Sequence, residues 1–360
     1  MSTEDWRWQL RNQLRTRDRL EAVFPLTAEE GAAIDALTDR FQLGITPYYL
    51  SLMDQDDPDC PIRRQAIPRL AEGIIHPGEL PDPLAEERDM PVPGITHRYP
   101  NRALLYVTHL CAVYCRHCTR RRKVSDPHTH TPQDQLDAAV RWLAETPAVD
   151  DVVLSGGDPL SLSDARLDRL LTQIRPHVSI IRLGTRHPTT MPQRITPALC
   201  AVLAKHPPIF VMTHFNHPRE CTPQAARACQ MLADAGCVLN NQTVLMRGIN
   251  DDTETLKDLH RWLLAARCRP YRLYHCDFTE GVRHFRVPLS RGLQLMDTLR
   301  GATSGLAMPE YMVDLPGGYG KMVVREGTQA GARWTFRSWQ GVEVVLYNDG
   351  MDAAPNQPLS

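Results

Sequence analysis

Ala103-Leu104-Leu105-Tyr106-Val107-Thr108-His109-Leu110 runs straight into Cys111-Ala112-Val113-Tyr114-Cys115-Arg116-His117-Cys118. The first part is apolar and β-prone, the composition of a buried strand. The cysteines that follow are spaced C-x3-C-x2-C on one short loop. Four thiolates would saturate an iron–sulfur cluster or a structural zinc. Three, with no neighbouring fourth, leave one metal corner open to bind a small molecule. With ten cysteines in the chain chance grouping is conceivable, and a buried free cysteine is ordinary core filling. Three at this spacing, closing a strand-like run, read as ligands.

Outward from that stretch the pattern repeats. Apolar, strand-like runs at 103–109, 150–155, 180–185, 208–214, 239–246 and 270–276 alternate with amphipathic windows at 131–145, 164–174, 196–205, 222–235 and 253–266. Such alternation implies parallel strands with right-handed crossovers. Six βα units over residues 96–300 predict an α/β fold, an incomplete TIM-like (βα)6 barrel with its chemistry at the C-terminal strand ends. A doubly wound sheet is the alternative, but no G-x-G-x-x-G follows the first strand.

Residues 1–95 form an N-terminal helical and covering segment in this reading. Positions 4–53 carry helical spacing, with Thr27 and Glu30 as a capping box. Positions 54–93 are rich in Pro and Asp and predict an extended cover with a short helix near 63–70. Residues 301–348 carry a glycine-rich loop with Lys321 and a hairpin at 334–336 and 342–346. Residues 349–360 are expected to be disordered.

Bulk composition excludes several classes. The 360 residues are 42% hydrophobic and 23% charged, which is globular. A formal net charge of -1 argues against nucleic acid as a partner. No apolar run is long enough to cross a bilayer, and Met1 to Arg7 lacks a secretory pattern. Free thiols point to a reducing, cytoplasmic setting.

Polar motifs fall just after strands. Ser155-Gly156-Gly157-Asp158 closes the second run; its glycines permit close backbone approach to a ligand, and Asp158 offers an acceptor for an ammonium, although the same four residues also make a good turn. Thr213-His214-Phe215-Asn216-His217 closes the fourth, and Asn241-Gln242 lies in the fifth. A zinc site at these histidines lacks a completing ligand. In Asp314-Leu315-Pro316-Gly317-Gly318-Tyr319-Gly320-Lys321 the lysine could hold a phosphate or form a Schiff base with pyridoxal phosphate (PLP), or be a plain loop lysine. Arg98 and Arg102 beside the first strand suit a phosphate dianion. Arg116, Arg120, Arg121 and Arg122 crowd the cysteine loop, as a solvated face or as carboxylate partners.

Taken in order, Ile45 to Leu52, Thr96 to Pro100, Cys111 to Arg122, Leu154 to Asp158, Thr213 to Pro218, Asn241-Gln242 and Pro316 to Lys321 resemble the lysine 2,3-aminomutase family. These are radical S-adenosylmethionine (SAM) enzymes that also use PLP. The resemblance runs from about Asp5 to Val324. It implies Cys111, Cys115 and Cys118 as ligands of a [4Fe-4S] cluster whose fourth iron binds SAM. Ser155, Gly156, Gly157, Asp158, His214 and Gln242 would bind SAM. Lys321 would hold PLP covalently, with Arg98 and Arg102 on its phosphate and Tyr99 near its ring. Arg120 would grip the substrate carboxylate, and Asp277 and Asp314 the distal ammonium.

The implied reaction converts L-lysine to β-lysine. An electron from reduced flavodoxin or ferredoxin cleaves SAM to a 5′-deoxyadenosyl radical, and the amino group moves from C2 to C3. The product would be a metabolite or serve elongation factor P modification. Two converging carboxylates demand a cation between them, and relatives acting on glutamate carry Lys and Asn instead of this pair. Arginine is the alternative substrate. A non-catalytic iron–sulfur or PLP-binding relative is the alternative class, and Asp277 or Asp314 paired with a local arginine such as Arg272 is the plain structural alternative. Some family members build a zinc site between subunits from a C-terminal cysteine-rich extension. No cysteine follows Cys276 here, so no zinc and a homodimer are expected.

Overall fold

The computed structural model of the chain describes residues 5–124 and 131–347. The expected disorder of 349–360 lies outside the described residues. One nine-stranded sheet organises the molecule: β1 (Ile95–Tyr99), β2 (Arg102–Thr108), β3 (Asp151–Gly156), β4 (Ile180–Gly184), β5 (Ile209–Thr213), β6 (Val238–Leu245), β7 (Cys268–His275), β8 (Glu310–Leu315) and β9 (Gly320–Val323). Its spatial order is its chain order. Strands β2 to β8 are parallel throughout, and β1 and β9 are antiparallel flanks.

A doubly wound sheet must reverse its strand order partway. This one never does, so every crossover winds the same way and the sheet curls into a barrel. At the seam the Tyr99 hydroxyl accepts a hydrogen bond from the Lys321 backbone N–H at 2.9 Å, tying β1 to β9. All six predicted strands are present, and β8 is a seventh parallel strand. Its sequence, Glu310-Tyr-Met-Val-Asp-Leu315, is short and runs directly into the Lys321 loop.

The strands' two-residue period separates packing from chemistry. On β3, Val152 and Leu154 are buried against the helices, while Val153 and Ser155 face the barrel interior. On β4 the same split sets Ile181 and Leu183 against Arg182 and Gly184, and on β8 Val313 and Leu315 against Met312 and Asp314. The helices supply the matching stripe. Helix Gln133–Glu145 buries Leu136, Ala139 and Leu143, and helix Asp164–Ile174 buries Leu167, Leu170, Leu171 and Ile174. Among the described residues no helix is long and apolar enough to cross a membrane.

The N-terminal reading needs correction in detail. Instead of sustained helix over 4–53, the chain forms helices Trp6–Arg11, Arg17–Glu21, Ala28–Leu37 and Pro47–Leu50. Asp5, Thr16, Thr27 and Thr46 each cap a fresh start with a side-chain acceptor, and such residues compete with helix continuation. The Thr27–Glu30 capping box is present as read. Downstream, helix Pro61–Arg64 and the turn Leu70–Gly73 punctuate an otherwise extended cover. That cover is pinned to the barrel by Leu80 N–H on Phe278 O and by Gly317 N–H on Pro83 O, both at 2.8 Å. The expected C-terminal hairpin is part of a three-stranded sheet, β10 (Thr328–Ala330), β11 (Arg333–Arg337) and β12 (Glu343–Tyr347). It pairs Trp334 with Leu346 and Phe336 with Val344, and all four side chains are buried.

Candidate active site

The barrel encloses a cavity of about 650 Å³. Of the sequence-predicted residues, Arg98, Tyr99, Arg102, Arg120, Ser155, His214, Gln242, Asp277, Asp314 and Lys321 all line it. They come from sequence positions more than 200 residues apart, and the consecutive strand order brings them into one cavity.

At the β8–β9 end, the Lys321 ammonium donates to the Asp314 carboxylate and lies 5.0 Å from the Tyr274 ring centroid. Burial works against the ammonium, but Asp314 outweighs it and holds Lys321 above the ordinary lysine value. The other carboxylate oxygen of Asp314 is buried without a hydrogen-bond partner. Asp277 accepts from the Thr119 hydroxyl. Burial and then the neighbouring Asp314 charge push its pKa up to about 6. Arg272 is bound instead to Glu310, so it pairs with neither aspartate; the local arginine beside Asp314 is Arg98. Arg98 donates to Asp89 at 3.2 Å and lies 3.9 Å from Asp314. Arg102 stacks on Tyr99 at 3.7 Å from the ring centroid.

The cysteine loop follows β2. The three thiols are electrostatic neighbours: burial, followed by nearby charges that include the other two cysteines, pushes Cys111 well up, and burial with Cys115 raises Cys118 to about 11. Among the described residues no three metal-type side chains converge on a single ion. A cubane differs from a single ion, because each cysteine ligates its own iron, so spaced thiols that become thiolates on loading fit it. Arg186, just after β4, donates to Cys115 Sγ at 2.7 Å and is anchored by Glu220 and Gln65, both at 2.6 Å. Sequence reading missed it, since one arginine in Thr185-Arg-His-Pro188 carries no motif.

Ser155 to Asp158 do something the sequence did not disclose. A Cβ on Gly156 would lie 2.4 Å from Thr108 O, and one on Gly157 would lie 2.4 Å from Leu110 O. The close approach that these glycines permit is therefore to the backbone leading into Cys111, with Gly157 N–H on Thr108 O at 2.6 Å and Asp158 N–H on Leu110 O at 2.7 Å. Asp158 is turned away from the cavity. It accepts from Thr185 Oγ1 and Arg186 N–H, each at 2.7 Å, with the His187 ring 2.5 Å away. Burial pushes its carboxyl up, but these partners outweigh burial and keep it below the ordinary value. His214 lines the cavity as a neutral ring, its pKa lowered to about 4 by burial and then by Arg186.

The arginine run is no solvated face. Arg116 and Arg121 both turn inward to the fully buried Glu72, and Arg122 meets Asp82 at 2.9 Å. Arg120 is held bidentately by Glu86. All these carboxylates belong to the covering segment. As for the missing groups, Lys321, Arg98, Arg102 and Tyr99 share one wall of a cavity large enough for PLP. The residues present fit both the cluster and PLP.

The radical SAM superfamily profile matches residues 105–260, from β2 into helix Thr253–Ala265. The chain is 48% identical over 350 residues to the L-lysine 2,3-aminomutase of Fusobacterium nucleatum, covering 96% of this chain and 82% of that protein. It is 45% identical over 356 residues to the enzyme of the same name from Clostridium subterminale, with 98% and 85% covered. A glutamate 2,3-aminomutase from Clostridioides difficile is 40% identical over 357 residues, covering 96% and 84%. The chain belongs to the radical SAM superfamily and, within it, to the lysine 2,3-aminomutase family of isomerases, which work with a [4Fe-4S] cluster, SAM and PLP.

Proposed function

We propose that this protein is an L-lysine 2,3-aminomutase, and that Asp277 and Asp314 choose the substrate. When bound, the cluster and SAM supply a 5′-deoxyadenosyl radical, and PLP carries the migrating amino group. The chain's own residues bind and shield. Cys111, Cys115 and Cys118 hold the cluster, with Arg186 compensating charge at Cys115. Lys321 holds PLP, with Arg98 and Arg102 toward its phosphate. Ser155, His214 and Gln242 lie on the cavity wall where SAM would bind, while Gly156, Gly157 and Asp158 shape that wall from behind. Arg120 receives the substrate carboxylate.

The single observation that carries the reading is the acid pair. Two aspartates share the cavity with Lys321, one oxygen of Asp314 has no hydrogen bond and only Arg98 at 3.9 Å, and Asp277 resists ionisation. A primary ammonium already sits against Asp314, that of Lys321 itself. Such a site favours a substrate ending in an ammonium and rejects a carboxylate side chain by like-charge repulsion. The radical also demands exclusion of water and oxygen, and the cover over the barrel suits that role. Membership of the family does not choose the amino acid, because the glutamate enzyme shares the scaffold.

The test is anaerobic incubation of the reconstituted protein with SAM, PLP, a one-electron reductant such as reduced flavodoxin, and lysine, arginine or glutamate. β-Lysine from lysine is the expected product. Product from arginine or glutamate, with none from lysine, would overturn the assignment. A homodimer in the cytoplasm is the setting we propose, checked by light scattering of the purified protein.

A further inference from the structure

Arg120 is fixed in place by Glu86, a residue of the covering segment 34 positions upstream. The Glu86 side chain is 3% exposed and borders the cavity. Its carboxylate contacts Arg120 Nε at 2.8 and 3.1 Å and Nη2 at 2.6 Å. Arg120 Nη1 reaches the cavity-lining Ser155 Oγ at 3.3 Å. A guanidinium offers two forks, the side edge of Nε with Nη2 and the end edge of Nη1 with Nη2. Glu86 occupies the side edge. What remains is the end edge, on the side where Ser155 and the cavity lie. The Tyr106 ring, with its centroid 5.5 Å from the guanidinium carbon, braces the same group.

We infer that Glu86 is a positioning residue: it clamps Arg120 side-on and leaves only the end-on fork for the α-carboxylate of the substrate. This rests on the reading that Arg120 receives that carboxylate. A free arginine side chain loses rotamer freedom when it binds, whereas one already held by a buried carboxylate has lost it beforehand. Burial pushes the Glu86 carboxyl up, but Arg120, Lys123 and Arg122 outweigh burial and keep it ionised. The opposite effect is also physically available, since Glu86 could act as a competitor that occupies Arg120 and repels an incoming carboxylate. The two roles predict opposite signs.

The experiment uses the anaerobically reconstituted holoenzyme without reductant, so that nothing turns over, and follows the PLP absorbance during titration with L-lysine or with lysinamide, which lacks the carboxylate. Wild type is expected to prefer lysine. Glu86→Gln should weaken lysine by about tenfold or more, leave lysinamide within twofold, and so erase most of the preference. Glu86→Asp should restore part of it. Unchanged PLP absorbance and a single cooperative unfolding transition above the assay temperature, at a midpoint lowered by loss of the buried charge, show that Glu86→Gln is folded. If Glu86→Gln keeps the wild-type preference, or tightens lysine, the positioning role is overturned while the Arg120 reading stands. If wild type itself shows no preference for lysine over lysinamide, the Arg120 reading falls, and this proposal with it.

Discussion

Asp314 on β8 and Lys321 on β9 are direct cross-strand partners of one hairpin, and the lysine ammonium donates to the aspartate. The turn between them uses Gly317 and Gly318 at φ of +82° and +78°, a conformation that a side chain would strain. Backbone register therefore sets the distance between Lys321, the lysine proposed to hold PLP, and one half of the acid pair. Asp314→Asn should lower the pKa of Lys321 by removing the charge that raises it. The chain has only four lysines, so a ¹³C-dimethyl-lysine NMR titration of the PLP-free protein resolves this one. An unchanged midpoint would refute the coupling.

Lys321→Ala should abolish the visible absorbance of the PLP linkage and turnover with it, leaving the iron–sulfur absorbance at the wild-type level. Retention of both bands would remove Lys321 from its proposed role.

Asp277 gives a pH dependence with a definite sign. Its folded pKa is raised from 3.8 to about 6 by burial and then by Asp314. Between those values the folded chain binds more protons than the unfolded one, so stability falls as pH rises through that window and levels off above it. In the PLP-free protein the thermal midpoint should drop from pH 4 to pH 6, and Asp277→Asn should flatten this component. Lysine affinity should move the other way, rising through pH 6 as the second carboxylate ionises.

Arg186→Met leaves the buried Glu220 without its cation and Cys115 without its donor. Breaking a buried pair from one side costs about 3–5 kcal/mol, which a urea titration measures. Iron retained per chain should fall in parallel. A variant with wild-type stability would show that Glu220 does not depend on this arginine.

Gly157→Ala drives a methyl into the Leu110 carbonyl. Overpacking of this kind costs about 1–3 kcal/mol. Because the clash lies in the loop between β2 and Cys111, reconstituted iron content should drop more than PLP content. Equal loss of both would point to general unfolding instead.

Much of the site is legible along the chain because its residues sit at strand ends, where a two-residue period and a short loop keep them close in sequence. The cysteine spacing, the β6 pair Asn241-Gln242 and the glycine loop before Lys321 are local features of this kind. Glu72 and Glu86 are not. Each lies in a Pro- and Asp-rich segment with no periodicity, and nothing local distinguishes a buried glutamate from a solvated one. Arg186 is hidden for the same reason, and Asp158 invited a ligand role because, apart from the local Leu160 N–H, its partners Thr185, Arg186 and His187 lie 27 to 29 residues downstream in a different crossover.

The cysteine triad by itself pointed to a metal with an open corner, and the alternation of strands and helices determined a parallel α/β barrel. Both follow from short-range chemistry: ligand spacing within one loop, and side-chain period within one element. Which charges meet was decided by the tertiary structure alone. The unbroken strand order curls the sheet until β1 and β9 meet at the Tyr99–Lys321 hydrogen bond, and the covering segment then lays its carboxylates against the arginines after Cys115. Burial makes each of those pairings obligatory, since an unpaired charge inside the barrel would cost more than the fold could sustain. The loop that opens the chain's chemistry is readable in eight residues, whereas the geometry around it needed the whole barrel.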